Sequence, residues 1–409
     1  MIFRNRPLVR LGAATLLASG AITAFGAPAH AAGTETDLEL KVAGTRVAAN
    51  AQGKVAFVKV ANLGQNAPSE LAVRVDVSKV DFSKVVAVPF VEDGCEVEGT
   101  EEKPTAFTCH ATKAGLPGPG ETTDLPLLVF KFDVEGAYQA PLSFKLISKD
   151  DTNAENNTAS ATLDLSDESG PDLAVIADDV KQAATIVDGN PVYKGDLHAG
   201  GQSALTYFIA NQGDLATAGL KITVKLPKGV TPAETEQDCE YSADKSTFTC
   251  TYADFGLIPQ DQDTDEDDKL YSAYGFFHLF NVGSDVKPGA LTGGLVSVEP
   301  IGAQPALTRA KPVAQLPENI EGMQASDVDA TDNSDGYAVI VAAKGGTGGG
   351  AGGGGVGGGD EGGLPVTGAK AGLIGGIGAA VLLAGGVMFL VARRRRVVLV
   401  TPGDEKPNA

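Results

Sequence analysis

The chain has 409 residues, with 32 basic against 52 acidic side chains and a formal net charge of −20. That length allows two or three domains, and the acidic balance excludes a nucleic-acid binder, which needs a cationic footprint. Hydrophobic residues make up 43 % and charged ones 21 %, which excludes disorder throughout, and four His and four Cys leave little material for a zinc or His-dependent centre.

Arg4, Arg6 and Arg10 precede the apolar stretch Leu11 to Gly26, which is followed by Ala29-His30-Ala31. A basic start, a short apolar core and an Ala-x-Ala site predict a secretory signal peptide over residues 1–31, cleaved after Ala31. The arginines are not adjacent, so the predicted export is by the Sec-type route and not the twin-Arg one.

Between residues 36 and 343 the same landmarks occur twice in the same order. Asp37-Leu38-Glu39-Leu40-Lys41-Val42 is matched by Asp172-Leu173-Ala174-Val175, and Asn62-Leu63-Gly64 by Asn211-Gln212-Gly213. Apolar residues then alternate: Leu71, Val73, Val75, Val77 in one copy, and Leu220, Ile222, Val224, Leu226 in the other. Period two predicts half-buried strands, and the Asn-x-Gly steps read as turns, since Asn and Gly tolerate positive φ. With almost no helical periodicity, the fold class is all-β, as two tandem β-sandwiches over residues 36–165 and 171–343.

Each copy holds one cysteine pair ending in Phe-Thr-Cys, Cys95 with Cys109 and Cys239 with Cys250. The spacings do not suit a zinc site, and the exported compartment is oxidising. Four cysteines allow three pairings; the repetition selects Cys95–Cys109 and Cys239–Cys250, each loop stabilising by about 3 kcal/mol in the chain-entropy model. The order of these landmarks resembles the Ig-like repeat modules of bacterial surface proteins, including the cell-adhesion-related bacterial type. The resemblance implies two Ig-like modules with a non-enzymatic, adhesive or spacing role. An antibody-type domain is disfavoured, because that fold buries a Trp against its disulfide and this chain has none.

Six carboxylates crowd residues 261–268, and alternation of Asp261, Asp263 and Asp265 invites a Ca²⁺ reading. The run fails as an EF-hand, with Glu266 at the Gly position and Ser272 at the bidentate Glu position; a solvated acidic loop is the better expectation. Asp327, Asp329, Asp332 and Asp335 admit the same two readings. Tyr271, Tyr274, Phe276, Phe277 and Phe280 form either a partner platform or core strand. His110, His198 and His278 accompany no nucleophile motif and read as structural or exposed. An enzyme using the acidic loop and these aromatics is the alternative from another class; turnover of a wall or glycan substrate, lost on altering Asp263 or Asp265, would favour it.

Residues 345–363 hold fourteen glycines in nineteen positions, a composition that behaves as flexible coil and excludes a packed core. Leu364-Pro365-Val366-Thr367-Gly368 follows, then an uncharged apolar stretch over 371–392, long enough to span a bilayer core of about 30 Å. Arg393 to Arg396 open the tail 393–409 and place it in the cytoplasm. Leu-Pro-x-Thr-Gly, an apolar helix and an Arg cluster in that order resemble the cell-wall sorting signal of Gram-positive surface proteins. The resemblance implies that sortase cleaves after Thr367 and joins it to peptidoglycan, so that the membrane helix holds the chain only before processing. The tail runs thirteen residues past Arg396, longer than that pattern, which leaves plain membrane retention as an alternative. No cofactor is implied, and the extracellular ligand is unspecified. Cleavage at both sites leaves 23 basic against 50 acidic residues, a net −27 that favours a soluble, self-repelling surface.

Overall fold

The alternating runs fold as strands in the computed structural model, which describes residues 35–89, 95–100, 103–132, 136–263, 271–304 and 327–344. The first half comprises β1 (Leu38–Ala43), β2 (Arg46–Val47), β3 (Gly53–Asn62), β4 (Ala72–Asp76), β5 (Val85–Pro89), β6 (Cys95–Gly99), β7 (Pro104–His110), β8 (Thr122–Lys131), β9 (Tyr138–Ile147) and β10 (Thr158–Leu165). The second half comprises β11 (Leu173–Ala177), β12 (Gln182–Val187), β13 (Asn190–Asp196), β14 (Gln202–Asn211), β15 (Ala216–Lys225), β16 (Val230–Pro232), β17 (Cys239–Tyr241), β18 (Thr247–Tyr252), β19 (Ala273–Val282), β20 (Gly289–Gln304) and β21 (Ser334–Val341). Among the described residues the helical pieces are 3₁₀ turns of three residues each, and no helix is long and apolar enough to cross a membrane. The signal peptide, Gly-rich linker, sorting motif, apolar span and basic tail lie outside the described residues.

Each half sets two sheets face to face. In the first, β1-β3-β8-β5 faces β2-β10-β9-β4-β7-β6; in the second, β11-β14-β19-β16 faces β17-β18-β15-β20-β21. Side chains from both sheets interleave in one core per half, for example Val58, Leu127, Val75 and Phe144 in the first. In the second, Leu205, Ile209, Ile222 and Val298 do the same. β9 shows the strict alternation of a strand with one wet face: Ala140, Leu142, Phe144 and Leu146 are buried and their neighbours exposed or half-buried. β3 is different. It is buried at nine consecutive positions, Lys54 and Lys59 included, because its second face is covered too.

The Asn-x-Gly steps do more than turn. Asn62 and Asn211 are fully buried at the ends of β3 and β14. The Asn62 amide donates to the carbonyls of Asn66 (2.9 Å) and Pro117 (3.0 Å), and its Oδ1 accepts from Gly64 N–H (2.9 Å). Asn211 repeats this toward Leu215 (2.9 Å), Leu257 (3.0 Å) and Gly213 (3.1 Å). Neither glycine has positive φ, contrary to the sequence expectation. Glycine is needed because a Cβ at Gly64 or Gly213 would sit 2.2 Å from the carbonyl oxygen of Glu35 or Gly170.

Cys95–Cys109 and Cys239–Cys250 are the bonded pairs, and each ties an outer strand to its neighbour, β6 to β7 and β17 to β18. Both edge strands are short, and on β6 Glu96 and Glu98 are exposed, features that discourage edge-to-edge pairing.

Candidate functional site

The sequence places Lys54 and Lys59 inside an otherwise apolar run, Lys54-Val55-Ala56-Phe57-Val58-Lys59-Val60. Buried ammonium groups demand counter-charges, and the second half supplies them. Lys54 Nζ lies 2.7 Å from Asp172 Oδ2, 3.0 Å from Asp332 Oδ2 and 3.4 Å from Asp329 Oδ2, with Lys54 and Asp172 side chains at 0 % exposure. Lys59 Nζ lies 2.9 Å from Asp335 and 3.5 Å from Asp124 of its own half. Gln212 completes the seam. Its amide accepts from Val55 N–H (2.6 Å) and donates to Val55 C=O (3.2 Å). β1 stops pairing with β3 at Phe57, so Gln212 caps ladder groups that the sheet leaves open. Between the polar contacts, Ile176 packs with Val55, Phe57 and Leu128.

Further contacts surround this centre. Arg46 N–H donates to Asp329 Oδ2 (2.8 Å), Asn50 N–H to Asp214 Oδ2 (2.9 Å), and Gly44 N–H to Thr331 Oγ1 (3.0 Å). The halves also approach closely at Gly44. Its φ is +76°, and a Cβ there would sit 2.6 Å from Asp332 Oδ2. Gly44→Ala is therefore expected to lower stability by about 2 kcal/mol, from left-handed strain plus the displaced carboxylate, read as a lower urea midpoint at unchanged m-value.

The expectation of a solvated or metal-binding acidic run at Asp327, Asp329, Asp332 and Asp335 meets a correction. Asp329, Asp332 and Asp335 are buried, at 5 %, 3 % and 3 % exposure, and face lysines of the first half. With three carboxylates around one ammonium in a dry site, the charges do not balance. Burial, opposed by Lys54, raises Asp172 to about 7. Burial raises Asp332 well above the carboxylate range and takes Asp327 to about 7, against bonds from Leu173 and Asp329 N–H. For Asp329 burial acts upward as well, but Lys54 and bonds from Thr331 and Arg46 outweigh it and hold the group below its ordinary value. Burial works against the Lys54 charge, yet Asp332, Asp172 and Asp329 keep its pKa raised.

The internal repeat explains why a lysine is needed. In the first half, Asp151-x-Asn153-x-x-Asn156-Asn157 precedes β10; in the second, Asp327-x-Asp329-x-x-Asp332-Asn333 precedes β21 at the same spacing. Asp151 and Asp327 play one role, accepting from Leu38 and Leu173 N–H and from the backbone of Asn153 and Asp329. Asn153 and Asn156 then donate their amides to Asp37 Oδ1, at 3.3 and 2.9 Å. Their counterparts Asp329 and Asp332 have no amide to give. Asp172, the counterpart of Asp37, takes its donor from Lys54 of the other half. Two Asn-to-Asp differences turn a self-contained loop into a receptor for a lysine.

No protein-family model matches the chain, and no curated protein matches it. Among solved structures, it is similar to the C-terminal domain of the Streptococcus agalactiae AgI/II polypeptide BspA, at 12 % identity over 64 % of this chain and 95 % of that one. It is similar also to the C-terminal domain of the Streptococcus pyogenes antigen I/II-family protein AspA, at 10 % identity over 65 % and 95 %. Both TM-scores are 0.19, too low to bear on what the present chain does.

The remaining candidates disperse. Asp261 is exposed, Asp263 Oδ2 accepts from Ser272 N–H (2.8 Å) and from the Ser272 hydroxyl (2.7 Å), and Asp265 lies outside the described residues. Tyr271 and Tyr274 are exposed, whereas Phe280 is core and Phe276 stacks on the buried Tyr207. His278 is buried, bonded to Tyr207 OH (2.8 Å) and Glu236 (2.6 Å), and His198 bonds the Ala342 carbonyl. A cavity of about 290 Å³ opens where the halves meet, between Leu116 and Pro117 of the first and Tyr193 and Phe208 of the second. Its polar wall is engaged: Lys181 pairs with Glu121 (2.8 Å) and Asp179 accepts from Thr122 and Ala338 N–H.

Proposed function

We propose that the chain is a non-enzymatic cell-surface protein of a Gram-positive bacterium, in which two Ig-like β-sandwiches form a stiff arm for adhesion, spacing or ligand presentation. It leaves the cell by the Sec-type route with cleavage after Ala31. Sortase joins Thr367 to peptidoglycan, and the span 371–392 holds the chain in the membrane until then. No cofactor is assigned to it.

The observation that carries this reading is the junction. Two modules on a flexible link would swing independently. Here the Lys54 ammonium of one half is wholly enclosed by carboxylates of the other, and bending the link would expose that buried charge. An arm that must hold its outer end away from a wall gains from such a joint.

The anchoring claim is tested by digesting the wall with muramidase and mapping the released protein by mass spectrometry. The expected product carries a peptidoglycan peptide on Thr367. Recovery only of chains that retain Arg393–Arg396 would sink the covalent anchor and leave membrane retention.

A further inference from the structure

A strand at the rim of a sheet offers a row of backbone N–H and C=O groups to solvent unless something closes it. In the second half one such row belongs to β19. Its neighbour β16 pairs only with Phe280, Asn281 and Val282, whereas β14 pairs with β19 from Ala273 to Asn281. Successive residues of a strand direct their backbone groups to opposite sides. Ser272 C=O accepts from Asn211 N–H on the β14 side, and Leu279 C=O accepts from Ala233 N–H on the other. Ala273, Gly275 and Phe277 therefore turn their N–H and C=O groups to that other side, where among the described residues no strand pairs with them.

The first half closes the same row. Asn62 pairs with Leu38 as Asn211 pairs with Leu173, so β3 and β14 correspond residue for residue. Thr122, Asp124 and Pro126 of β8 then stand where Ala273, Gly275 and Phe277 stand in β19. Thr122 N–H donates to Asp179 (2.8 Å), Asp124 adds a charge, and Pro126 has no N–H to offer. The stretch Ala273-Tyr274-Gly275-Phe276-Phe277 has no such guard. It holds neither a charge nor a proline, and Ala273, Tyr274 and Gly275 are exposed.

The side chains around this edge indicate what it fits. Tyr274 and Phe276 alternate with the buried Phe280 on the inner face, and their rings meet Phe255 at 4.9 and 5.8 Å between centres. Tyr271 lies 6.1 Å from Tyr274, and Tyr252 of β18 lies 5.8 Å from Phe276. Burial, then the nearby carboxylates of Glu236 and Asp238, push the Tyr252 hydroxyl up to about 12. Residues 234–282 hold twelve acidic and two basic side chains, so the chain around the aromatic cluster is strongly negative. Aromatic faces with an acidic surround suit lysine and arginine, which gain from both the rings and the charge. A second copy of the chain fits poorly, because like charge would meet like.

We infer that the open edge of β19 takes up an extended, basic peptide segment of another protein as an added strand, which pairs with Ala273, Gly275 and Phe277 and rests its cationic side chains on the aromatic cluster. This goes beyond the arm reading and is independent of it, since an unanchored chain would bind the same peptide. The probe is a fluorescein-labelled heptapeptide of alternating lysine and valine, titrated with the full chain in non-ionic detergent and read by polarisation. An analogue with glutamate in place of lysine is expected to bind at least about tenfold more weakly, and equal binding overturns the inference. Methylating the peptide's backbone nitrogens at alternate positions removes one row of donors at a time. One pattern is expected to weaken binding about tenfold and the other to leave it within about twofold. Equal effects of the two patterns would mean charge attraction without strand pairing, and overturn the inference. Amide exchange at Ala273, Gly275 and Phe277 is expected to be fast in the free chain and about tenfold slower with peptide bound. Protection already present in the free chain would mean that the chain fills its own edge, which also overturns it. Tyr274→Ala, a change at an exposed side chain, is expected to weaken the peptide about fivefold; unchanged affinity overturns the placement on this edge.

Discussion

Replacing Lys54 with methionine is expected to lower the unfolding free energy by about 3–5 kcal/mol, the usual loss when one partner of a buried ion network is removed. Methionine keeps much of the stem volume, so the loss reports the ammonium and not a cavity. What remains is Asp172, Asp329 and Asp332 facing one another in a site closed to water. Those groups either take up protons or draw the halves apart, and both routes cost stability. Adding Asp329→Asn and Asp332→Asn to Lys54→Met is expected to restore more than half of the loss, since the new amides can bond Asp172 as Asn153 and Asn156 bond Asp37. Urea unfolding of the full chain followed by circular dichroism measures both steps. A single replacement costing less than about 1 kcal/mol would show that the lysine is dispensable, and a triple variant no better than the single one would show that the amides do not take over its role toward Asp172.

Much of this fold was legible in the sequence because repetition supplied an internal comparison. The alternation of Leu71, Val73, Val75 and Val77 marks β4, and that of Leu220 to Leu226 marks β15, since one face of each strand meets its own core. The same periodicity cannot report what covers a second face. β3 is an apolar run interrupted by Lys54 and Lys59, and the partners of Lys54 stand 118 and 275 residues further along the chain. Acidic residues at 327–335 were read as a group with two outcomes, solvated or metal-bound, because composition does not say which carboxylates face an ammonium. A usable signal was present all the same. Aligning the two loops shows Asn153 and Asn156 exchanged for Asp329 and Asp332, and a repeat that gains two charges at fixed spacing points to a counter-charge elsewhere. The glycines of the Asn-x-Gly steps were misassigned for a similar reason, since close approach of Glu35 and Gly170 is a long-range fact.

Stability is expected to fall as pH rises from about 4 to about 7, the reverse of the usual behaviour of salt-bridged carboxylates. Asp327 has an ordinary value of 3.8 and is taken by burial to about 7 in the folded chain. A carboxyl raised on folding stabilises fully below its unfolded value, where both states hold the proton, and that contribution is lost as pH climbs through the folded value. About three pKa units at about 1.4 kcal/mol each put the loss from Asp327 near about 4 kcal/mol between these limits. Asp172 and Asp332 shift the same way, each by burial against the pull of Lys54, and steepen the slope. Asp329 is lowered and acts oppositely, its contribution disappearing only as pH falls below the ordinary carboxylate range. Lys54, whose pKa the surrounding carboxylates keep raised against burial, holds its charge throughout the window. Unfolding free energies at intervals between pH 4 and pH 8 give the slope for the whole chain, and Asp327→Asn separates the part that belongs to this site. Asparagine leaves one of the two bonds from Leu173 and Asp329 N–H unmade, which lowers stability at every pH, but it removes the titration and should flatten the curve. A slope unchanged in Asp327→Asn would mean that the carboxyl is ionised in the folded chain and that Lys54 alone balances the junction.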